Sequence, residues 1–542
     1  MKKRFVTLLL AVMTVTALVG CGSDSGASVS TAPGSTSDMG NYAVACEPMM
    51  DAACAEDMDY EYTYAINGVR DTEAEVSYEE FNTEEYLEIK ENGFVLVADN
   101  PLSTFSADVD TGSYCNLRRI INDGWSLDNV ASSVRTEEII NYFDYEVNDK
   151  SDVFSVQYEV GNCPWNEDHK LLVMTFQANA EESVSNEGNN FVFLIDSSGS
   201  MSSKDKLELA IESFKMLAKS LGKNDRVSIV TYSGDSRLLL EGSNDYYEIC
   251  KALDQISAGG GTNGSGGITA AYECANNNFI EGGNNRVIIA SDGDMNLGIT
   301  STGGLTDLIT EEKETGVFLT VLGFGSGNYS DANMESIADA GNGNYYYIDT
   351  IDEARRVLVD KLKQTTLTVA KDVKFQAEFN PAVVYSYRQI GYENRVMSAS
   401  DFNDDTKDGG EVGAGQQVTI AYEIELVGSQ EGGIDLKYQD SEIVEGFENE
   451  ICTVAVRYKE PDADESSKLT YVVENNTDAD AVHSDDFNFV AGIIEASMVI
   501  RDSEYAGNAT LDSAYILANS GTKGDEYRKE FCVLLILLGA DE

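Results

Sequence analysis

Between residues 186 and 367, short apolar runs alternate with segments in which apolar residues recur every three or four positions. The apolar runs, which are rich in β-branched and aromatic side chains and predict buried strands, are 192–195, 226–232, 286–290, 317–324 and 345–348. The amphipathic segments, which predict helices, are 207–221, 246–256, 265–277, 303–315, 331–340 and 351–364. This alternation is typical of an α/β fold with a mainly parallel sheet, right-handed crossovers and helices on both faces.

The sequence on either side of this unit has a different pattern. Residues 76–185 contain predicted helices at 114–121 and 135–143 and predicted strands at 154–160 and 171–178. Residues 368–542 begin with strand-like runs at 368–379, 383–390, 417–426, 433–439 and 451–458 and end with helical segments at 487–500, 510–519 and 524–538. The strand-rich part indicates an antiparallel β domain. We hypothesise that strands before residue 180 and after residue 368 share one β-sandwich, between whose halves the α/β unit is inserted.

Residues 1–20 have the pattern of a secretory signal, in which Met1-Lys-Lys-Arg4 precedes an apolar run that ends near Val19. The run is too short for a convincing membrane span. Leu18-Val-Gly-Cys21 resembles a bacterial lipobox, which would make Cys21 the lipid-modified first residue of the mature chain, and two acyl chains give stable anchoring. We therefore expect an exported protein that is lipid-anchored to the cell membrane on its extracytoplasmic face. The alternative is an ordinary cleaved signal with an incidental cysteine.

Residues 21–75 predict a flexible acidic tether. Gly, Ser, Thr and Ala dominate as far as Gly40, and an acidic, Tyr-rich sequence with little periodicity follows. Over all 542 residues, 94 acidic residues outnumber 37 basic ones, which gives a net charge of -57. Such a surface repels nucleic acid and anionic lipid and attracts cations, and the simplest cause of most of this charge is a solubilising surface. The nine cysteines contain no C-x-x-C pair, and their spacing does not determine connectivity.

Candidate chemistry begins where the strand 192–195 ends. Asp196, Ser198 and Ser200 follow that strand at alternate positions in a glycine-containing turn, and a helical segment comes next. Open α/β sheets bind ligands at the carboxyl edge of their strands, so these oxygen atoms are placed where a ligand is expected. Because Mg²⁺ takes about six oxygen ligands, three side chains do not complete a site.

Two later loops can complete the set. Thr262 lies in a glycine-rich loop between helical segments, and Asp292 follows the strand 286–290, with Asp294 as a spare carboxylate nearby. The expected metal ligands are therefore Asp196, Ser198, Ser200, Thr262 and Asp292; the alternative is a set of polar turns without a metal. The loop at 259–264 also matches the dinucleotide motif G-x-G-x-x-G, but a helix precedes it where that motif needs a strand.

These motifs, in this order, resemble a von Willebrand factor A domain with its metal-ion-dependent adhesion site. The resemblance implies that Ser198, Ser200 and Thr262 supply hydroxyl groups, while Asp196 and Asp292 bind a divalent cation directly or through water. Mg²⁺ is the expected ion, with Mn²⁺ and Ca²⁺ as alternatives, and an acidic side chain of a protein partner would take the remaining coordination position. Since two carboxylates only neutralise a divalent ion, the bound ion can still attract an anionic ligand.

The flanking segments extend the resemblance over nearly all of the chain after the tether. The pieces 105–114, 137–143 and 163–165 resemble the segment that precedes the A domain in a group of bacterial A-domain lipoproteins, often labelled calcium-activated chloride-channel-like. The C-terminal region resembles the C-terminal domain of the same group, whose biochemical role is poorly defined. We interpret Asp108 and Asp110, in the first of these pieces, as solvated turn carboxylates rather than metal ligands.

The sequence gives little support to catalysis. Its only histidines are His169 and His483, and no H-E-x-x-H, G-x-S-x-G or P-loop motif occurs. We therefore expect a non-enzymatic, lipid-anchored envelope protein that captures protein partners through a divalent cation. The alternative is a structural or regulatory component of an envelope or channel-associated complex, in which the A domain serves assembly.

Overall fold

The structure is a computed structural model that describes residues 84, 86, 89–124, 131–148, 152–179, 187–294, 298–313, 315–327, 329–407, 409–428, 446–461, 463, 465–476 and 482–541. The predicted signal peptide, Cys21, the tether and the predicted strand at 433–439 lie outside the described residues. Within those ranges, no helix combines the length and the apolar character that a membrane span requires. The cysteines in the same ranges are free thiols.

The secondary structure of the described residues alternates as predicted in the middle of the chain. The strands are β1 (Val95–Leu96), β2 (Leu102–Ser106), β3 (Phe154–Asn162), β4 (Lys170–Ala178), β5 (Asn189–Asp196), β6 (Arg226–Tyr232), β7 (Ser236–Ser243), β8 (Asn284–Ser291), β9 (Phe318–Phe324), β10 (Tyr345–Ile348), β11 (Thr368–Phe379), β12 (Val384–Ile390), β13 (Gly410–Gly413), β14 (Gln417–Leu426), β15 (Glu450–Lys459) and β16 (Ser467–Glu474). The helices are α1 (Gly112–Asn122), α2 (Thr136–Tyr142), α3 (Leu209–Ser220), α4 (Tyr246–Leu253), α5 (Gly264–Asn277), α6 (Thr302–Lys313), α7 (Asp331–Ala340), α8 (Ile351–Arg355), α9 (Leu362–Thr366), α10 (Asp485–Ile500), α11 (Leu511–Ser520) and α12 (Glu526–Leu537).

The predicted parallel sheet has the strand order β10-β9-β8-β5-β6-β7. All neighbouring strands in it are parallel except β7, which pairs antiparallel with β6 at the edge. The central strand β5 is buried on both faces: Val192 and Leu194 pack into one hydrophobic cluster, and Phe191, Phe193 and Ile195 pack into another on the opposite face. Helices cover both faces, so a continuous apolar run marks the centre of the sheet.

The remaining strands form a β-sandwich beside this α/β unit. Its first sheet has the order β1-β12-β14-β4-β3, and its second has the order β13-β11-β15-β16 with β2 also paired to β11. Strand β4 precedes the α/β unit and pairs with β14, which follows it. The two sheets share one hydrophobic core, in which the rings of Phe176 and Phe375 lie 5.0 Å apart between centroids. The hypothesis that strands from both flanks share one sandwich is therefore confirmed.

The C-terminal helices cover the outer face of the first sandwich sheet. Alternate residues of β4 divide between two cores: Leu172 and Met174 face the interior of the sandwich, whereas Leu171 and Val173 belong to the cluster that contains Phe487 and Val490 of α10. Phe531, Cys532, Leu534 and Leu535 of α12, near the end of the chain, pack into the same cluster.

The strands that the sequence pattern does not predict include β1, β7, β13 and β16. Most side chains of β7 are exposed, because it lies at the edge of the parallel sheet, so it lacks the apolar alternation that marks a half-buried strand. Strand β13 has only four residues and depends on its pairing with β11.

A buried network of charged side chains joins the α/β unit to the sandwich. Asp108 and Asp110 belong to it, with exposures of only 3% and 4%, so their interpretation as solvated turn carboxylates is wrong. Asp108 Oδ2 accepts a hydrogen bond of 2.9 Å from Arg395 Nε, and Asp110 Oδ1 accepts one of 2.8 Å from the backbone N–H of Tyr345, at the start of β10. Their partners come from segments distant in sequence, and for this reason the local pattern resembled an exposed turn.

Candidate functional site

Three loops that carry the predicted ligands meet at the carboxyl edge of the parallel sheet. Strand β5 ends at Asp196, and its neighbour β8 ends at Ser291, immediately before Asp292. The two strands are parallel and in register, with Ile195 opposite Ala290, so the two aspartates leave the sheet side by side. This edge is where open α/β sheets bind ligands.

The loop that carries Thr262 is hydrogen-bonded to the loop after β5. The backbone N–H of Gly259 donates to the carbonyl of Ser197 at 2.8 Å, and that of Gly199 donates to the carbonyl of Gly260 at 3.0 Å. Gly260 has φ +88°, a left-handed conformation that glycine adopts without strain. Thr262, 1% exposed, is therefore held beside the D-x-S-x-S turn. Gly260 thus helps to shape this loop.

Asp196 is fully buried and both of its carboxylate oxygens are oriented by neighbours. Oδ1 accepts a hydrogen bond of 2.9 Å from the backbone N–H of Ser198, and Oδ2 accepts one of 2.9 Å from the hydroxyl of Ser291. Burial, with the nearby Asp292 charge adding to it, raises the pKa of Asp196 to about 6, although the hydrogen bonds from Ser198 and Ser291 oppose this shift. Each oxygen keeps lone-pair capacity for a further ligand.

The two serines of the turn face each other. Ser198 Oγ and Ser200 Oγ are 3.0 Å apart, Ser198 being buried and Ser200 half-buried. Because a hydroxyl rotates to suit its partners, both oxygens can turn toward a common cation. The pair therefore supplies the two hydroxyl groups that the resemblance implied for this loop.

Asp292 is fully buried, and a lysine absent from the predicted site lies against it. Lys206 Nζ lies 3.0 Å from Asp292 Oδ2, and the two side chains are 5% and 0% exposed. Asp292 Oδ1 also accepts a hydrogen bond of 3.2 Å from the backbone N–H of Asp294. Lys206 lies in a π-helical turn, Lys204–Glu208, that precedes α3. In the sequence it is one lysine beside an apolar stripe, and nothing there distinguishes it from a solvated one.

The donor set fits a hard divalent cation. Two carboxylates and three hydroxyls lie on three loops at one edge of the sheet, and oxygen is the ligand that Mg²⁺, Mn²⁺ and Ca²⁺ prefer. Ser291, which the sequence did not assign, fixes the orientation of Asp196 and ties the first loop to the third. That a cation binds here stays a prediction; the loops that carry the five side chains lie together at one edge of the sheet.

Two other groups of acidic or thiol side chains lie within reach of one another in the described ranges. They are Asp108 with Glu138 and Glu335, and Cys115 with Asp349 and Glu353. Arginines already neutralise both groups: Arg395 lies 2.9 Å from Asp108, and Arg118 lies 2.6 Å from Asp349. A metal would have to displace these guanidinium groups, so we do not assign either group as a metal site.

Family models match three parts of the chain. Residues 80–173 match von Willebrand factor, residues 191–294 match the von Willebrand factor type A domain, and residues 364–539 match the C-terminal domain of the uncharacterized protein YfbK. The second match spans all five predicted ligands. Von Willebrand factor A domains mediate protein–protein interactions and commonly bind a divalent cation.

A relative and several solved structures are similar to this chain. The uncharacterized protein YfbK of Escherichia coli (strain K12) is 41% identical over 472 residues, which cover 84% of this chain and 81% of that protein. The von Willebrand factor type A protein from Catenulispora acidiphila is 17% identical, with a TM-score of 0.38, over 68% of this chain and 87% of that one. The ArnB paralog VWA2 from Sulfolobus acidocaldarius is 18% identical, with a TM-score of 0.36, over 71% of this chain and 97% of that one.

The family-model matches lie on the α/β unit and on both of its flanks. The identity to YfbK extends through both flanks, so the relationship is not limited to the A domain. The chain belongs to the family of bacterial von Willebrand factor A-domain proteins that includes YfbK.

Proposed function

We propose that this protein captures an acidic side chain of a protein partner through a divalent cation bound at the edge of its A-domain sheet. Asp196, Ser198, Ser200, Thr262 and Asp292 would hold the ion. Mg²⁺ is the preferred ion because hydroxyl, carboxylate and water oxygens suit it, while Mn²⁺ and Ca²⁺ accept similar ligands. The ion would offer the partner's carboxylate one open coordination position.

One observation carries this proposal: the buried Asp196 is joined to the third loop through Ser291, while its own loop is joined to the Thr262 loop by backbone hydrogen bonds. Three segments distant in sequence thus present oxygen atoms to one place. Asp196 is fully buried with hydrogen bonds from Ser198 and Ser291, and a cation at this edge would compensate the charge that its burial makes costly.

The proposal includes export and a lipid anchor. Removal of residues 1–20 would expose Cys21 for lipidation, and residues 21–75 would let the folded part reach partners at a distance from the membrane. The support is the basic, apolar and lipobox-like order of the first 21 residues.

We also propose that the protein is not an enzyme. Both histidines are engaged in contacts with carboxylates: His169 Nδ1 lies 2.6 Å from Glu423 Oε1, and His483 Nδ1 lies 2.9 Å from Glu159 Oε1. Both lie in the sandwich and its attached C-terminal region, away from the A-domain sheet edge. These placements support structural roles for the two residues.

The test is a pull-down from solubilised membranes with the full-length protein, with and without a chelator. We expect a partner that is recovered with Mg²⁺ and lost with the chelator or with Asp196→Ala. Glu273→Ala, which removes an exposed carboxylate from α5 of the same unit, is the matched control and should keep the partner. Recovery that neither chelation nor Asp196→Ala reduces would contradict cation-mediated capture and favour the alternative, in which the A domain serves the assembly of an envelope complex.

A further inference from the structure

Lys206 is a buried ammonium group in contact with a predicted cation ligand. Its side chain is 5% exposed, and Nζ lies 3.0 Å from Asp292 Oδ2. Removing a lysine from water is unfavourable unless a counter-charge compensates, and Asp292 supplies that charge. The contact joins the π-helical turn before α3 to the loop after β8, across the predicted site.

Two neighbouring contacts hold Lys206 in this position. Its methylene groups pass so close to Gly325, which has φ +84°, that any side chain there would collide with them. The adjacent Asp205 accepts a hydrogen bond of 3.1 Å from the hydroxyl of Ser326, in the same loop. The π-helical turn is thereby fixed to the loop after β9, and the ammonium group is directed inward at Asp292. Single π turns are frequent at functional sites.

The position of Lys206 alters the charge of the site. Asp196 and Asp292 would alone present two negative charges to a cation, and the ammonium group cancels one of them. Asp294 lies near enough to interact with both Asp292 and Lys206, but it is partly exposed, so solvent screens its charge. A divalent ion at Asp292 would meet a fixed positive charge on the other side of the same carboxylate.

We infer that Lys206 is a built-in competitor for the divalent cation: its ammonium group occupies one oxygen of Asp292 and weakens cation binding at the site. This inference rests on the proposed metal site. The same contact explains how Asp292 stays buried before a cation arrives, because Lys206 compensates its charge. The residue thus sets the cation concentration at which the site fills.

The test is a Mn²⁺ titration of the full-length protein, purified in detergent without a partner and followed by electron paramagnetic resonance. Lys206→Gln removes the charge but keeps a hydrogen-bond donor for Asp292, and Lys206→Arg keeps the charge. We expect Lys206→Gln to bind Mn²⁺ at least about tenfold more tightly than the unchanged protein, a difference of about 1.4 kcal/mol. Lys206→Arg should bind within about threefold of the unchanged protein.

Lys206→Met, which keeps the aliphatic stem against Gly325, provides a second neutral variant if Lys206→Gln does not fold. Equal or weaker Mn²⁺ binding by the neutral variants, beside measurable binding by the unchanged protein, would overturn the role of Lys206 and leave the metal site intact. Absence of Mn²⁺ binding in the unchanged protein and in both neutral variants would overturn the metal site and the inference together. A purely structural role would lower the melting temperature of the neutral variants without tightening Mn²⁺ binding.

Discussion

Arg395 donates a hydrogen bond of 2.9 Å from Nε to Asp108 Oδ2, across 287 positions of sequence. The same guanidinium group contacts Asp339 of α7 at 2.7 Å and Glu335 at 3.3 Å. One arginine of the sandwich thereby binds both the segment before the A domain and a helix inside it. The attachment of the A domain to its flanks is electrostatic as well as hydrophobic.

We expect Arg395→Met to destabilise the protein. Without the guanidinium group of Arg395, the negative charges of the buried Asp108 and Glu335 are less well compensated. Breaking a buried ion pair in this way costs about 3–5 kcal/mol. Chemical denaturation followed by circular dichroism measures the change. Arg237→Met, at an exposed position of β7, is the control and should change the free energy of unfolding by less than about 0.5 kcal/mol. Similar stability of the two variants would show that the network contributes little.

The stability of the protein should fall as the pH rises from about 4.5 to about 7. Burial, opposed in part by Arg135, raises the pKa of Glu138 from 4.5 to about 7. The folded state therefore holds this proton more tightly than the unfolded state, so the stabilising contribution is complete below pH 4.5 and is lost as the pH passes the folded pKa. Asp331, whose pKa burial also raises, acts in the same direction.

Denaturation midpoints at pH 5, 6 and 7.5 measure this dependence. Glu138→Gln removes the titrating group while keeping its shape, so the variant should show a flatter pH profile than the unchanged protein. A profile that rises with pH through this window, or one that Glu138→Gln leaves unchanged, would contradict the assignment.

Mg²⁺ or Mn²⁺ should raise the melting temperature, because a ligand that binds only the folded state stabilises it. At a concentration one hundred times the dissociation constant, the gain is about 2.7 kcal/mol. Asp196→Ala should abolish the shift, whereas the control Glu273→Ala should retain it. A shift that survives in Asp196→Ala would place the cation elsewhere in the protein.

Gly260→Ala should weaken cation binding and destabilise the A domain. The left-handed backbone at φ +88° costs a non-glycine residue about 1–2 kcal/mol, and relief of that strain would move the loop that carries Thr262. The control is Gly234→Ala, at a nearby exposed position where a Cβ atom would meet nothing within 4 Å. Mn²⁺ titration of both variants checks the prediction. Equal affinities of the two variants for Mn²⁺ would contradict it.

Several elements could be predicted from local sequence because the local pattern and the packing agree. Strand β11 has the bounds that its apolar pattern predicts, and β5 is the central strand that a continuous apolar run indicates. The edge strand β7 could not be predicted, since its side chains are exposed and its stability comes from pairing with β6. The pattern of apolar residues in a strand shows which of its faces is buried. An edge strand such as β7 has little buried surface, so this pattern is weak.

Some residues of the candidate site could likewise be predicted from the sequence, and others could not. Asp196, Ser198 and Ser200 are close in sequence, and their spacing after a buried strand identifies them. Asp292 could be added because parallel strands deliver their following loops to one edge. Thr262, in a loop between two helices, was added through the resemblance to the von Willebrand factor A domain. Lys206 and Ser291 could not be assigned roles, since each acts through a contact with a residue more than 80 positions away.

The sequence by itself determined the alternation of strands and helices and the insertion of the A domain between two β-rich flanks, and it singled out the candidate oxygen donors, because these depend on periodicity and on local order. Only the tertiary structure decided which charges are buried together. Asp108 and Asp110 read locally as turn residues, yet Arg395 and Tyr345 approach them from distant segments. The contact between the Lys206 ammonium group and Asp292 also depends on the tertiary structure, since a buried charge is stable only where the fold supplies its counter-charge.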